Sequence, residues 1–321
     1  MNRTDERWIA TAKALRTLAL DERLKDVVAK EPGLRSILEQ VGERYVSGVD
    51  ANEAMVKVAS VNALGHRATI DFMGESARNF ATVDAACKEF LRLVPLVARA
   101  SNSNSISLDL SHIGSVLDPE LGSKNARRIA SVAHAHGIEL ILSMEGPDRV
   151  DQILEDHRRL SAEFDNVGVT IQARMYRTRD DIPALLERDG RIRLVKGAYD
   201  TASSLAAEPE SSETAGLFDE FARTLLLSGH RCSIATHDEA RIDAALATVA
   251  EGAVAKDSYY VEHLSGLADL QLLRLQSAGV PTQEYIVYGE ESWLYVCNRL
   301  AEDPWRAIVA LGDAARAALN A

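Results

Sequence analysis

The stretch from Arg191 to His237 decides the fold, because it has the pattern of a strand, a helix and a second strand in succession. It opens with RIRLVKGAYD (191–200), continues through ETAGLFDEFARTLLLSG (213–229) and ends with RCSIATH (231–237). The outer segments are short, apolar and bounded by polar residues or Gly, which is typical of buried strands. The middle segment has the length of a helix and ends in Gly. This unit predicts a helical crossover between two parallel strands.

The same alternation continues on both sides of this unit. Further short apolar runs are ATIDFMG (68–74), SISLDLS (105–111), IELILSM (138–144), VGVTIQA (167–173), SYYVEHL (258–264) and EYIVYG (284–289), which brings the number of predicted strands to eight. Helix-length segments such as SKNARRIASVAHAHG (123–137) lie between them. We therefore predict an α/β fold, a closed (βα)8 barrel over residues 67–321, with a doubly wound open sheet as the alternative. The sequence has no GxGxxG turn after the first strand, which weakens the dinucleotide-binding version of that alternative.

The segments at the two ends of the chain have helical spacing. MNRTDERWIATAKALRTLALDERLKD (1–26), SILEQVGERYVSGV (36–49) and ANEAMVKVASVNALG (51–65) place apolar residues three and four apart, so residues 1–66 are predicted to form an N-terminal helical arm. EDPWRAIVALGDAARAALNA (302–321) predicts a C-terminal amphipathic helix. The acidic segment AAEPESSET (206–214) is predicted to be a mobile loop after the fifth strand.

Composition excludes several classes of protein. The net charge of −12 disfavours a nucleic-acid partner. Cys87, Cys232 and Cys297 are scattered without a CxxC pair, so we expect neither a zinc site nor a redox disulfide, and a reducing cytoplasm fits best. The sequence contains no apolar run of about 18 residues, so no transmembrane segment is predicted.

The segment RIRLVKGAYD also carries the strongest indication of chemistry. Arg193 and Lys196 place two cations on one strand end, and Gly197 permits close approach of a ligand to the backbone. Such a strand end suits an electron-rich or anionic cofactor, since nearby cations stabilise a reduced flavin. The alternative is a strand-end ion pair beside a turn glycine.

Five motifs in the same order resemble those of the FAD-dependent, monofunctional proline dehydrogenase family. They are TIDFMGES (69–76), GVTIQAR (168–174), RLVKGAY (193–199), IATHDEARI (234–242) and EYIVYGEESWLYVCNRLAEDP (284–304). The resemblance implies an FAD cofactor held without a Rossmann domain, with contacts from Gln172, Arg193, Lys196, Gly197, Ala198, Thr236, His237 and Glu302. It places Arg193 at flavin N5 and implies a substrate pocket formed by Tyr199, Leu264, Tyr285 and Arg299.

The chain departs from the family pattern where the substrate carboxylate is received. Asp109 stands where the family has a Lys, Ser143 stands where it has an Asp, and Asn298 precedes Arg299 where it has a second Arg. Glu75, whose family counterpart pairs with that missing Arg, is left for another role. Losing these charged groups weakens carboxylate binding, because each charge-assisted hydrogen bond is worth about 1.5–3 kcal/mol.

The function expected from the resemblance is hydride transfer from a carbon beside a ring nitrogen to flavin N5, which yields a cyclic imine. The substrate would be proline or a proline-like cyclic amine whose carboxylate is masked or tethered to a carrier protein. A quinone or another acceptor would reoxidise the flavin, either in the cytoplasm or at the inner membrane face. Two alternatives stay open: a non-catalytic flavin- or partner-binding paralogue, and a metal- or phosphate-dependent barrel aldolase or hydrolase.

Several histidines and aromatic residues have a structural interpretation beside a functional one. His112 is either a general base or a hydrogen-bonded structural residue, and His263 lacks the neighbours of a metal ligand. His134 and His136 are expected to cap a helix end. Tyr259, Tyr260 and Trp293 are expected to pack, whereas Tyr295 is either a core residue or a wall of the substrate pocket.

Overall fold

The computed structural model of the protein describes residues 6–19, 21–31, 42–74, 76–100, 104–290 and 292–302, together with positions 305, 312 and 316. The fold divides into two compact units. One contains residues 1–54 with 287–321, and the other contains residues 55–286, which include the barrel strands up to Ile286. The assignment of residues 1–66 to a separate arm stays a prediction.

The predicted closed barrel is confirmed. Within the described residues, eight strands pair in parallel from each one to the next and close in the order β1 to β8. Their bounds are β1 Arg67–Phe72, β2 Ser105–Leu108, β3 Glu139–Leu142, β4 Val167–Gln172, β5 Ile192–Val195, β6 Cys232–Ala235, β7 Tyr259–Leu264 and β8 Thr282–Tyr288. Each strand overlaps one of the apolar runs in the sequence, because burial on both faces selects Val, Ile and Leu.

Helices alternate with the strands. They are α3 Ala51–Ala63, α4 Phe80–Ala98, α5 Pro119–Ala135, α6 Val150–Ser161, α7 Thr178–Leu186, α8 Ser212–Ser228, α9 Glu239–Gly252 and α10 Asp269–Ser277. Capping residues set several of the bounds: the Asn79 side chain accepts from the Thr82 amide, and Gly229 ends α8 in the left-handed conformation at φ 73°. His136 ends α5, and its Nδ1 lies 2.9 Å from the Val132 carbonyl oxygen, which confirms the expected capping role for this residue.

Alternate residues of each strand project into the barrel. Arg193 of β5 reaches side chains of β1, β2, β4 and β7, which is possible only from the interior. At the amino-terminal end of the barrel Glu139 lies 3.0 Å from Arg191 Nε and 3.5 Å from Arg67 Nη2. The guanidiniums of Arg67 and Arg191 lie 4.4 and 4.5 Å from the ring centre of Tyr260. This cluster fills the amino-terminal end, so the carboxyl-terminal end is left for chemistry.

The unit formed by residues 1–54 and 287–321 departs from the sequence prediction in two places. The segment 1–26, whose uninterrupted helical spacing is typical of one helix, contains two helices, α1 Glu6–Ala19 and α2 Glu22–Lys30, because Asp21 caps α2 by accepting from the Arg23 amide at 3.0 Å. Residues 43–49, predicted to be helical, form a turn and an isolated bridge between Val46 and Val287. Gly48 has φ 106° there, which a helix does not permit.

The same unit contains the last described helix, α11 Ser292–Glu302. Helix α1 packs against α11. Most of the predicted C-terminal helix, residues 302–321, lies outside the described residues.

The segment 206–214 is anchored where it begins, so its prediction as a mobile loop was wrong for that part. Ala206 and Ala207 are buried, Ala207 N–H donates to the Arg174 carbonyl at 2.9 Å, and Arg174 Nε donates to the Ala207 carbonyl at 2.8 Å. Helix α8 already begins at Ser212, inside the predicted loop. Over the described part of the chain, no helix combines the length and the apolarity needed to cross a bilayer.

Candidate active site

The guanidinium of Arg193 lies at the centre of the barrel interior. Its Nε donates to Glu262 at 3.1 Å, its Nη1 to Ser107 at 3.0 Å and its Nη2 to Thr69 at 3.2 Å. Both Arg193 and Glu262 are buried, with 3% and 2% of their surface exposed. A guanidinium held from several strands cannot swing away, so the barrel fixes the position of one positive charge.

Glu262 is the main group that raises the pKa of Arg193. Burial lowers the pKa of Arg193, but the Glu262 carboxylate, followed by Tyr285 and Asp71, offsets this effect and leaves the pKa raised. The guanidinium of Arg193 therefore stays protonated in the neutral pH range. Glu262 lies in the predicted strand SYYVEHL, yet nothing in the local pattern assigned it to Arg193, which lies 69 positions earlier.

Tyr285 of β8 covers one side of this ion pair. Its ring centre lies 4.9 Å from the Arg193 guanidinium, and its hydroxyl donates to Asp71 Oδ2 at 2.8 Å. Burial first, and then Asp71, raise the pKa of the Tyr285 phenol well above its ordinary value; Asp109 raises it further, while Arg193 lowers it. The structure thus brings the predicted residues Arg193, Tyr285 and Asp109 together, and adds Asp71, which the sequence analysis missed.

Small hydroxyls occupy the side of the barrel near β2 and β3. Ser107 Oγ and Ser143 Oγ lie 3.0 Å apart, and Thr69 Oγ1 lies 2.8 Å from Ser105 Oγ. Gln283 Nε2 donates to Thr69 at 2.7 Å. Ser143 stands where the family pattern has an Asp, and the serine is satisfied by a neutral hydroxyl partner. The β2–β3 side of the interior is therefore polar but uncharged at these positions.

Gln172 and Gly197 meet at the carboxyl ends of β4 and β5. Gln172 is 3% exposed, its Nε2 donates to the Glu145 carbonyl at 2.9 Å, and its Oε1 has no hydrogen-bond partner among the described residues. Gly197 has φ 104°, and a Cβ on it would lie 2.7 Å from Gln172 Oε1 and 3.0 Å from Arg174 Cγ. The side chains of Gln172 and Arg174 therefore already lie close to Gly197, and the approach of a ligand to this glycine stays a prediction.

Lys196, at the end of β5, forms an ion pair with the residue that begins the next helix. Its Nζ lies 2.8 Å from Asp238 Oδ2, while the other oxygen of Asp238 caps α9 by accepting from the Ala240 amide at 3.1 Å. Both charged side chains are partly exposed, at 25% and 34%. The cation therefore stays accessible at the rim, next to Gly197.

The predicted residues of β6 and β7 also lie together. His237 Nε2 accepts from the Leu264 amide at 3.0 Å, which assigns the ring proton of neutral His237 to Nδ1. Thr236 is buried, and its hydroxyl accepts from the Asp238 amide at 3.2 Å. The backbone carbonyl of Tyr199 accepts from Arg174 Nη1 at 2.7 Å, which ties the segment after Gly197 to β4.

The remaining predicted residues belong to other parts of the chain. Arg299 lies on α11, with its guanidinium 5.1 Å from the ring centre of Tyr295. The side chains of Asn298 and Glu302, and all of Glu75, lie outside the described residues. Their predicted roles stay predictions.

His112 and His263 are both buried, at 5% and 2% exposure. His112 packs against the rings of Phe72 and Phe90, with ring centres 5.0 and 5.9 Å away, and burial lowers its pKa to about 4. Burial likewise lowers the pKa of His263 to about 4, and its ring centre lies 5.0 Å from that of His237. Among the described residues, no three His, Cys, Asp or Glu side chains gather in a way that could hold a metal ion.

Sequence reasoning missed most partners of Arg193 and Tyr285. Thr69, Asp71, Ser107 and Gln283 project inward at alternate positions of β1, β2 and β8. The signal was the period of two along each strand, in which polar residues interrupt otherwise apolar runs. Only the register of the closed barrel reveals which of these polar residues meet.

Comparisons with known proteins agree with this arrangement. The family model for proline dehydrogenase matches residues 54–303. The chain is 31% identical over 294 residues to proline dehydrogenase of Deinococcus radiodurans, covering 87% of this chain and 93% of that one. It is 30% identical over 268 residues to proline dehydrogenase 1 of Bacillus subtilis subsp. natto, covering 84% and 88% of the two chains.

A solved structure matches the fold. Proline utilization A from Bdellovibrio bacteriovorus, inactivated by N-propargylglycine, superposes with a TM-score of 0.80 at 17% identity. The match covers 93% of this chain and 37% of that longer chain. The matched family model spans all eight barrel strands and includes Arg193, Glu262, Asp71 and Tyr285. The chain therefore belongs to the proline dehydrogenase family of FAD-dependent oxidoreductases.

Proposed function

We propose that this chain oxidises the C–N bond of a cyclic secondary amine of the proline type, using FAD. The observation that carries the proposal is the buried guanidinium of Arg193, fixed by Glu262, Ser107 and Thr69 beneath the ring of Tyr285. A fixed cation in a desolvated site stabilises negative charge that develops during electron transfer, and it needs no reorganisation to do so.

The side chains at the carboxyl ends of β4 to β6 suit FAD. Gln172 Oε1 is a buried acceptor without a partner in the described chain, which fits a ligand that donates an N–H group. Lys196 offers a partly exposed cation for an anionic portion of the cofactor. Together with Arg193, the residues that would hold FAD are Gln172, Lys196, Gly197, Ala198, Thr236 and His237. When bound, FAD accepts the electron pair that leaves the amine carbon.

The chain's own residues would then orient the amine and stabilise charge. Tyr285, Tyr199 and Leu264 would form walls of the pocket. Loss of a hydride from the carbon and a proton from the ring nitrogen would convert the amine into a cyclic imine. No protein nucleophile is needed, so proximity and the fixed charge of Arg193 would supply the rate enhancement.

The charges that face Tyr285 favour a substrate whose carboxylate is masked. Asp71 and Asp109 both raise the pKa of Tyr285, which means that two carboxylates act on the same phenol. Ser143, in place of a family Asp, carries no charge, and its hydroxyl lies 3.0 Å from that of Ser107. A free carboxylate would be repelled by Asp109, whereas an ester, a decarboxylated ring or a carrier-tethered acyl group would not.

The test is anaerobic reduction of the purified flavoprotein. L-proline, L-proline methyl ester and pyrrolidine are added separately, and bleaching of the visible flavin absorbance is followed. We expect the ester and pyrrolidine to bleach the flavin faster than L-proline, and the Asp109→Lys variant to gain tenfold or more in apparent affinity for L-proline because it recovers a charge-assisted contact.

Each outcome decides between the candidates. Bleaching by L-proline at least as fast as by the ester would support ordinary proline dehydrogenation. It would overturn the proposal that the carboxylate of the substrate is masked. A bound flavin that no cyclic amine reduces would favour a non-catalytic paralogue. Reoxidation by a short-chain quinone in the same cuvette would identify the class of electron acceptor.

A further inference from the structure

Asp71 and Tyr285 form a hydrogen-bonded pair that closes the barrel. Asp71 lies on β1 and Tyr285 on β8, the first and last strands, and the phenol oxygen lies 2.8 Å from Asp71 Oδ2. Asp71 is half-buried, so its charge is only partly screened by solvent. The comparison with family motifs gave Tyr285 a place at the substrate but gave Asp71 no role.

The geometry determines what the Tyr285 hydroxyl can offer a ligand. A phenol has one proton to donate, and here that proton points to a carboxylate, which is a stronger acceptor than a neutral group. The phenol oxygen accepts from Ser107 and has a second lone pair, so towards a ligand it is left as an acceptor. Such an oxygen can receive an N–H group but cannot donate to a carboxylate.

The groups facing Tyr285 keep the phenol neutral. Asp71 and Asp109 disfavour the phenolate, while Arg193 and a hydrogen bond from Ser107 favour it, and burial adds to the effect of the carboxylates. The net direction is a pKa well above the ordinary value. The hydroxyl therefore keeps its proton, and the proton stays committed to Asp71, throughout the neutral pH range.

We propose that Asp71 is a positioning residue that turns Tyr285 into a fixed hydrogen-bond acceptor for the ring N–H of the substrate amine. The proposal rests on the proposed function. Asp71 acts through the phenol: it sets the direction of the hydroxyl proton, and Tyr285 holds the amine so that the carbon beside the nitrogen faces the cofactor. The ring of Tyr285 is at the same time held against Arg193, which limits its rotation.

The test is a double-mutant cycle with Asp71→Asn, Tyr285→Phe and the combined variant. An amide at position 71 can donate to the phenol oxygen and reverse the direction of the hydrogen bond, so Asp71→Asn should lower kcat/KM for the best amine by about tenfold or more. Tyr285→Phe should cause a similar loss. Adding Asp71→Asn to Tyr285→Phe should change kcat/KM by less than about twofold, because the group through which Asp71 acts is gone.

The control and the second measurement separate positioning from folding. Asp84→Asn removes the same charge from the exposed pair of Asp84 with Lys88 on α4, and it should leave kcat/KM unchanged. FAD content and melting temperature are recorded for every variant. The pH profile of kcat/KM is also compared between the variants. If Asp71 were purely structural, its replacement would lower kcat/KM without changing the shape of this profile.

Losses that add in the combined variant would overturn the proposal, as would an Asp71→Asn enzyme with wild-type kcat/KM. Failure of the proposed function looks different, because no amine would then reduce the wild-type flavin. In that case NMR of the protein labelled with ¹³C at tyrosine Cζ still tests the hydrogen bond between Tyr285 and Asp71. The Tyr285 signal is assigned by its absence from the spectrum of Tyr285→Phe. A Tyr285 signal that Asp71→Asn leaves unshifted would overturn the hydrogen-bonded pair itself.

Discussion

Replacing Glu262 with Gln should destabilise the barrel strongly, because it leaves the buried charge of Arg193 without its counter-ion. At 3.1 Å and an effective dielectric constant near 20, the attraction of the pair is about 5 kcal/mol. Most of this attraction offsets the cost of removing both charges from water, so the pair itself adds little net stability. Removing one partner loses the attraction but not the desolvation cost, and we expect a loss of about 3 kcal/mol.

The assay is thermal unfolding of the FAD-saturated protein at neutral pH. A loss of about 3 kcal/mol corresponds to a fall of roughly 6–12 °C in Tm for a barrel of this size. Glu251→Gln is the matched control, because Glu251 pairs with Arg223 at 3.4 Å on the surface, where 68% and 55% of the two side chains are exposed. That change should cost less than about 1 kcal/mol. A Glu262→Gln protein whose Tm equals that of the Glu251→Gln control would refute the reasoning.

The other predictions concern the rim and the buried histidine. Gly197→Ala should weaken FAD binding about tenfold or more in a flavin-fluorescence titration, because its Cβ would meet Gln172 Oε1 at 2.7 Å in a backbone at φ 104°; unchanged affinity would place the cofactor elsewhere. Lys196→Met should cost less than about 1 kcal/mol of stability, since its pair with Asp238 is partly exposed, yet it should raise the Kd for FAD; an unchanged Kd would contradict a cofactor contact. His112 has its pKa lowered to about 4 by burial, so below pH 6.5 the unfolded chain binds a proton that the folded chain binds only near pH 4. Stability should therefore fall as pH drops from 6.5 to 4, by up to about 1.4 kcal/mol per pH unit for this residue, and a His112→Gln variant with the same slope in urea unfolding would exclude it as the source.

The sequence predicts the structure most closely where interactions between residues near each other in the chain determine it. The apolar run RIRLV and the helix that ends at Gly229 are set by burial and capping within a few residues, and both lie where the sequence predicts them. The N-terminal region was less predictable. Helical spacing continues through Ala19 to Asp21, but Asp21 prefers to cap a new helix, and Val46 pairs with Val287, which no local pattern could reveal.

The sequence by itself determined the number and order of the strands, the barrel class and the family, because burial periodicity and short motifs are local properties of the chain. It also located Arg193, Gln172 and Tyr285 as candidate site residues. Only the tertiary structure decided their partners: Asp71 and Tyr285 are 214 positions apart, and Arg193 and Glu262 are 69 apart. Those contacts depend on the register and closure of the sheet, which are fixed when the whole barrel packs and not by any single segment.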